Sequence, residues 1–147
     1  QGVLTETCAI LVYIAQRFGP EHLASMGDPF LFGRIQEFNS YLASTVHVAH
    51  AHRLRGARWV SDQAALVAMQ KKVPDAMTQA VTLIEDELLH GPWVMGDIYT
   101  ICDPYLFTIS RWLEDDGVDT DQLPRILEHR RCMMNRSATQ AALSQVS

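Results

Sequence analysis

Residues 91–112, GPWVMGDIYTICDPYLFTISRW, contain the clearest start of a buried helix in this chain. Thr100 is a residue type that caps helix N-termini, and the carboxylate of Asp103 can reach back to the free N–H of Thr100 to complete a capping box. The positions that follow are apolar on most sides, which is typical of a buried helix: Tyr105, Leu106, Phe107, Ile109, Trp112 and Leu113. Capping boxes occur in every fold class, so this stretch predicts a capped core helix and no activity by itself.

Helical periodicity continues on both sides of this stretch, because apolar residues recur at spacings of three and four. Further helices are predicted over residues 3–18, 28–55, 61–90 and 121–136, and from residue 137 onward. Their predicted N-caps are Thr5, Asp28, Ser61 or Asp62, and Ser137. Pro74 should kink or split the third long helix. No pair of segments alternates with a period of two, so the sequence predicts an all-α bundle of about six helices.

Composition limits the kind of protein this chain can be. With 147 residues, of which 48% are hydrophobic and 20% charged, it resembles one globular domain with a sizeable core. The net charge of -5 argues against a general nucleic-acid binder, and no apolar run approaches the length of a membrane span. The three cysteines are isolated from one another, which favours reduced thiols in a cytoplasm over a disulfide framework or a zinc site.

Glu6 and Thr7 form the first candidate site, at the start of the first predicted helix. A carboxylate can pair with an ammonium group, while a hydroxyl and the free N–H groups of a first helical turn can hold a carboxylate. Together they suit an amino-acid-like zwitterion. The alternative is an ordinary helix start whose acidic residue complements the helix dipole.

His47 and His50 form a second candidate, since a spacing of three places them on one helix face. A metal site would also need carboxylates or thiols near them in sequence, and none is present, so solvated or hydrogen-bonded histidines are the preferred interpretation. The basic residues that follow, Arg53, Arg55 and Arg58, either bind an anion or an acidic partner, or complement the dipole at the C-terminal end of the helix.

Three segments of the chain resemble bacterial glutathione transferases. Residues 3–18, VLTETCAILVYIAQRF, resemble the segment that closes the thioredoxin-like half of those enzymes. Residues 37–50, EFNSYLASTVHVAH, resemble the long first helix of their all-helical half, and residues 91–112 resemble the capped core helix of that half. The resemblance follows the chain in order over nearly its whole length.

The resemblance implies a role for several residues. It implies that Glu6 and Thr7 bind the γ-glutamyl part of glutathione, although the family usually has Ser where this chain has Thr7. It places His47 near the bound thiol, and His50 and Trp112 at the pocket for the second substrate, a small electrophile. Thr100 and Asp103 match the family's capping box, which is a folding element. Glutathione is implied as a substrate and no metal is implied.

The resemblance also implies a domain organisation. Residues 1–20 correspond to the last helix of a thioredoxin-like domain, residues 21–27 to a linker, and residues 28–147 to the helical domain. The β-rich thioredoxin-like part, with the family's catalytic Cys, Ser or Tyr, is then missing from this chain, so no catalytic residue is expected in it. A glutathione transferase-like protein, cytoplasmic and homodimeric, is the leading hypothesis. The alternatives are a non-catalytic interaction or dimerisation module and a metal-binding regulator that uses His47 and His50.

Overall fold

The computed structural model describes residues 2–145, and most of these residues are helical. They form eight α-helices: α1 (Thr7–Phe18), α2 (Pro20–Ala24), α3 (Pro29–Tyr41), α4 (His47–Leu54), α5 (Gln63–Leu83), α6 (Cys102–Ser110), α7 (Pro124–Met134) and α8 (Ser137–Ser144). Two π-helical segments, Leu42–Val46 and Ile84–Leu88, and two 3-10 turns, Gly56–Arg58 and Thr120–Gln122, lie between them. Within residues 2–145 there is no β-strand, only isolated bridges in the segment that precedes α6.

Helix α6 lies in the core of the bundle. Seven of its nine residues are buried, and it packs against α3, α7 and the first π-helical segment. The largest fully buried side chains come from several elements and include Ile35, Leu42, Met77, Ile84, Leu106 and Ile109. The helix that follows residues 91–99 is therefore the buried helix that its apolar sequence predicts.

Two helix starts show why the sequence folds locally as it does. The Asp28 carboxylate accepts hydrogen bonds from the backbone N–H groups of Phe30 and Leu31, both at 3.0 Å, at the start of α3. Asp62 accepts from the N–H of Ala65 at 2.8 Å at the start of α5. These bonds satisfy first-turn donors that have no partner inside the helix. The predicted N-cap Asp28 is confirmed, and of the alternatives Ser61 and Asp62 the cap is Asp62. The prediction of Thr5 as a cap is wrong, because α1 begins at Thr7 and Glu6 occupies the position before it without a side-chain capping bond.

The predicted count of about six helices is wrong. The predicted helix over residues 28–55 is divided into α3, the π-helical segment Leu42–Val46 and α4, and the short helix α2 lies in a region predicted as a linker. A π-helical segment keeps helical hydrogen bonding while adding a residue to one turn, so the apolar spacing does not reveal it. By contrast, α5 runs through Pro74 without being split.

The predicted domain division at residues 20 and 28 stays a prediction. Residues 1, 146 and 147, which belong to the predicted domains, lie outside the described residues. None of the helices within residues 2–145 is long and apolar enough to cross a membrane.

The turn before α6 depends on a close approach between two glycines. A Cβ on Gly91 would lie 2.9 Å from the carbonyl oxygen of Gly96, and Gly96 itself has a φ of +82°, a conformation that favours glycine. Isolated antiparallel bridges join Trp93 to Gly96 and Met95 to Ile98. The turn thereby brings the backbone of Val94 beside the first residues of α6.

Candidate functional site

His47 and His50 lie on α4, directly after the π-helical segment Leu42–Val46. Their spacing places both rings on one face of the helix, and the ring centroids are 6.3 Å apart. Both side chains are partly buried. The shared face predicted from the sequence is therefore present, and the residues that approach it come from a distant part of the chain.

The segment after α6 supplies these approaching residues, Trp112 and Asp116. The backbone N–H of Asp116 donates to the carbonyl of Trp112 at 2.9 Å, which holds the two residues one turn apart. Gly117 then reverses the chain with a φ of +78°. A Cβ at Gly117 would lie 3.1 Å from the Pro74 ring, so this turn packs closely against α5.

Trp112 and Asp116 contact His50 on two sides. The Trp112 ring stacks on the His50 ring with centroids 4.2 Å apart and an interplanar angle of 20°. Asp116 Oδ2 lies 2.7 Å from His50 Nδ1, and the Asp116 side chain is fully buried. Trp112 also lies 5.3 Å from the His47 ring, in a tilted arrangement. We call His47, His50, Trp112 and Asp116 the histidine cluster.

Arg53 also lies beside Asp116 of the histidine cluster. Its Nε lies 3.0 Å from the second carboxylate oxygen of Asp116, at ion-pair distance but without the alignment of a hydrogen bond. Its Nη1 donates to the backbone carbonyl of Asp115 at 3.0 Å. Of the three arginines predicted as a basic group, Arg53 thus pairs with the acidic turn, whereas Arg55 and Arg58 are exposed.

The environment of His47 favours its neutral form. Burial lowers the pKa of His47 below its ordinary value, and the nearby charges of His50 and Arg55 lower it further. A neutral imidazole offers one donor and one acceptor, so His47 can hydrogen-bond a thiol or a thiolate without carrying charge into the site.

Glu6 and Thr7 lie at the start of α1, and both are exposed. Neither side chain makes a hydrogen bond within residues 2–145, and no contact there joins them to the histidine cluster. Glu6 has a φ of +70°, which is uncommon for a residue with a side chain and marks local strain. A groove between α1 and α3 that includes Leu4 and Cys8 lies beside this helix start.

Asp103 does more than the predicted capping contact. Its Oδ2 accepts from the backbone N–H of Thr100 at 2.6 Å, and Thr100 Oγ1 accepts from the N–H of Cys102 at 3.3 Å. Its Oδ1 accepts from the N–H of Val94 at 2.8 Å and lies 3.0 Å from His129 Nε2. Asp103 and His129 are both fully buried, so this network fixes the turn, α6 and α7 together.

Other features of the described residues lie apart from the histidine cluster. A cleft of about 290 Å³ is lined by residues of α6, α7 and α8, together with Tyr99 and Arg111, and includes none of the predicted site residues. Within residues 2–145, no group of three or more His, Cys, Asp or Glu side chains is arranged to hold a metal ion.

Sequence reasoning missed Asp116 and His129. The carboxylate that contacts His50 lies 66 residues along the chain, in a turn that reads as an ordinary acidic loop. His129 lies 26 residues from Asp103, inside a polar helix. A buried carboxylate requires a partner, but the sequence does not reveal which carboxylates are buried.

Comparison with known proteins identifies relatives along nearly the whole chain, although no protein-family model matches it. A glutathione transferase homologue from Sulfitobacter, solved with bound glutathione, shares 38% identity and a TM-score of 0.94 over 98% of this chain and 77% of its own. Glutathione S-transferase GST-4.5 of Xanthomonas campestris is 27% identical over 97% of this chain and 70% of its own. Glutathione S-transferase GstA of Escherichia coli O157:H7 is 26% identical over 97% of this chain and 67% of its own.

These comparisons correct one prediction and support another. The prediction that a β-rich thioredoxin-like part is missing from this chain is contradicted, because the structural match extends over 98% of the chain. The predicted glutathione transferase-like character is confirmed by relatives that match in sequence and in structure. With 38% identity to a homologue of which it covers 77%, the chain belongs to the glutathione S-transferase family.

Proposed function

We propose that this protein transfers glutathione to an electrophilic small molecule. The observation that carries the proposal is the histidine cluster, in which two imidazoles and an indole from separate parts of the chain form one aromatic, partly buried surface. Such a surface can contact a polarisable electrophile and hydrogen-bond the thiolate that attacks it. The bound glutathione in the Sulfitobacter homologue supports glutathione as the thiol.

Each substrate has a proposed binding region. Glu6 and Thr7 bind the γ-glutamyl part, the carboxylate pairing with its ammonium group, and the hydroxyl and the free N–H groups of α1 with its carboxylate. The strained backbone of Glu6 supports this role, since such strain recurs at ligand sites. His47 contacts the thiol as a neutral imidazole, while His50 and Trp112 line the pocket for the electrophile.

The reaction requires no metal in this proposal. The sulfur of the thiolate forms a bond to the electrophilic carbon, and the bond to the leaving group breaks with its electron pair. We further propose a cytoplasmic homodimer. The three free cysteines support a reducing compartment. The comparisons give no support to a non-catalytic dimerisation module.

Calorimetric titration of the chain with glutathione tests the glutamyl site. Glu6→Ala should weaken binding by about tenfold or more, because one charge-assisted contact is lost. The matched control is Glu87→Ala, which removes another exposed carboxylate and should leave the affinity unchanged. Absence of saturable binding by the wild-type chain would refute the glutathione site, and equal affinity of the Glu6 variant would refute its assigned residue.

A further inference from the structure

The function proposed so far assigns no role to the contact between His50 and Asp116. A carboxylate can only accept a hydrogen bond, so the contact at 2.7 Å places a proton on His50 Nδ1. The second nitrogen, Nε2, then carries either a lone pair or a second proton. It makes no hydrogen bond within residues 2–145, and the His50 side chain keeps 20% of its surface exposed. Nε2 is therefore the nitrogen of this pair that can exchange a proton with a bound molecule.

Neighbouring groups fix this arrangement. Trp112 covers one face of the His50 ring, which sets the plane in which Nε2 points. The other oxygen of Asp116 faces Arg53, whose guanidinium also binds the Asp115 backbone, so the carboxylate is held from two directions. Among the described residues, His47 also faces His50, and the lowered pKa of His47 favours its neutral form, which is a weaker proton donor than an imidazolium.

A positioned imidazolium accelerates the reaction with only some electrophiles, namely those whose leaving atom needs a proton. When a thiolate displaces halide from an aromatic ring, the departing ion needs no proton. When it opens an epoxide, the oxygen retains the electron pair of the broken bond and becomes a strong base that requires a proton. General-acid catalysis by a positioned side chain typically contributes about 10²–10⁴-fold to such a step.

We propose that His50 is the general acid of this protein and Asp116 its positioning residue, so that the site takes electrophiles on which attack develops negative charge on oxygen. With an epoxide, the C–S bond forms, the C–O bond breaks, and the oxygen receives the proton from Nε2. His50 is left neutral and regains a proton from water, so no oxidant or reductant is required. This inference rests on the proposed glutathione transfer.

The test compares two acceptors, styrene oxide and chlorodinitrobenzene, using the full chain and glutathione. The measured quantity is the ratio of kcat/KM for the epoxide to kcat/KM for the haloarene. In His50→Gln this ratio should fall by about tenfold or more, because only the epoxide needs the proton. In Asp116→Asn it should also fall, and the alkaline limb of the epoxide pH profile, where a general acid loses its proton, should move, because the amide cannot stabilise the same imidazolium.

The matched control is Asp86→Asn, which removes the same charge from an exposed position outside the histidine cluster and should keep the wild-type ratio. Nitrogen NMR of His50 supplies a second readout: its Nδ1 should carry the proton in the wild type and lose that preference in Asp116→Asn. A ratio unchanged in His50→Gln would overturn the general acid. A wild-type chain inactive on both acceptors would overturn the proposed function and this inference with it.

Discussion

Replacing Asp103 by alanine removes the acceptor shared by four polar groups in the core, one of which is the Thr100 hydroxyl at 3.4 Å. The backbone N–H groups of Thr100 and Val94 and the Nε2 of His129 lie 2.6, 2.8 and 3.0 Å from its carboxylate oxygens. Asp103, His129 and Thr100 are all buried, so water does not replace the lost acceptor without a rearrangement. Alanine also leaves a small cavity where the carboxylate was.

The magnitude follows from comparing an exposed cap with a buried one. Loss of an exposed N-cap typically costs about 1 kcal/mol, because water then solvates the freed N–H groups. A buried donor left without a partner costs about 1–3 kcal/mol, and Asp103→Ala leaves several buried donors in this state at once. We therefore expect Asp103→Ala to lower the free energy of unfolding by about 3–5 kcal/mol, a large share of the stability of an ordinary domain.

Urea unfolding followed by far-ultraviolet circular dichroism measures this difference. The matched control is Asp28→Ala, which removes a carboxylate that caps α3 from an exposed position and should cost about 1 kcal/mol. In the double variant with His129→Gln, the combined loss should be smaller than the sum of the two single losses, because the residues share one contact. Equal losses for Asp103→Ala and Asp28→Ala would refute the buried network.

Three further predictions concern other parts of the chain. Glu85→Ala should lower the free energy of unfolding in urea by about 2–3 kcal/mol, because this buried carboxylate accepts from two N–H groups at the start of α7 at 2.8 and 2.9 Å. The control Glu87→Ala, at an exposed position, should change it by less than about 0.5 kcal/mol. His47 has a lowered folded-state pKa, so below about pH 6.5 the unfolded chain binds its proton first and stability falls with acid. His47→Gln should therefore lose less stability than the wild type between about pH 7.5 and pH 5, and an equal loss would contradict the burial of this imidazole. Burial raises the pKa of the Cys102 thiol and shields it from reagents. When the native protein is alkylated, mass spectrometry should therefore detect modification of Cys132 well before that of Cys102. The reverse order would contradict the packing of α6.

Contacts that are local in sequence were within reach of prediction. Asp28 and Asp62 could be assigned as caps because each bonds to N–H groups two or three residues away. The reach of Asp103 to Thr100 is of the same kind. The prediction of Ser137 as a cap was wrong: α8 begins at Ser137 itself, with Arg136 before it and no side-chain capping bond. A hydroxyl residue near a helix start indicates a cap only to within a residue or so.

Contacts that depend on tertiary packing could not be predicted from the sequence. The spacing of His47 and His50 predicts a shared face, and no carboxylate lies near them in sequence. The carboxylate that contacts His50 is that of Asp116, because the turn after α6 packs against α4. Apolar periodicity indicates which face of a helix is buried. It does not indicate which distant side chains contact the polar residues beside that face. The pair central to the proposed proton transfer therefore emerged only from the folded chain.

The π-helical segment Leu42–Val46 has an evolutionary consequence. Such a segment corresponds to an α-helix that has gained one residue, and each residue turns the helix by about 100°. Deleting a single codon within it would let α3 run into α4 as one regular helix while rotating every later side chain by that angle. His47 and His50 would then turn away from Trp112, with the hydrophobic spacing of α3 left intact. A single insertion or deletion in this segment can therefore create or abolish the histidine cluster. The residues of α3 that pack in the core keep their positions in either case.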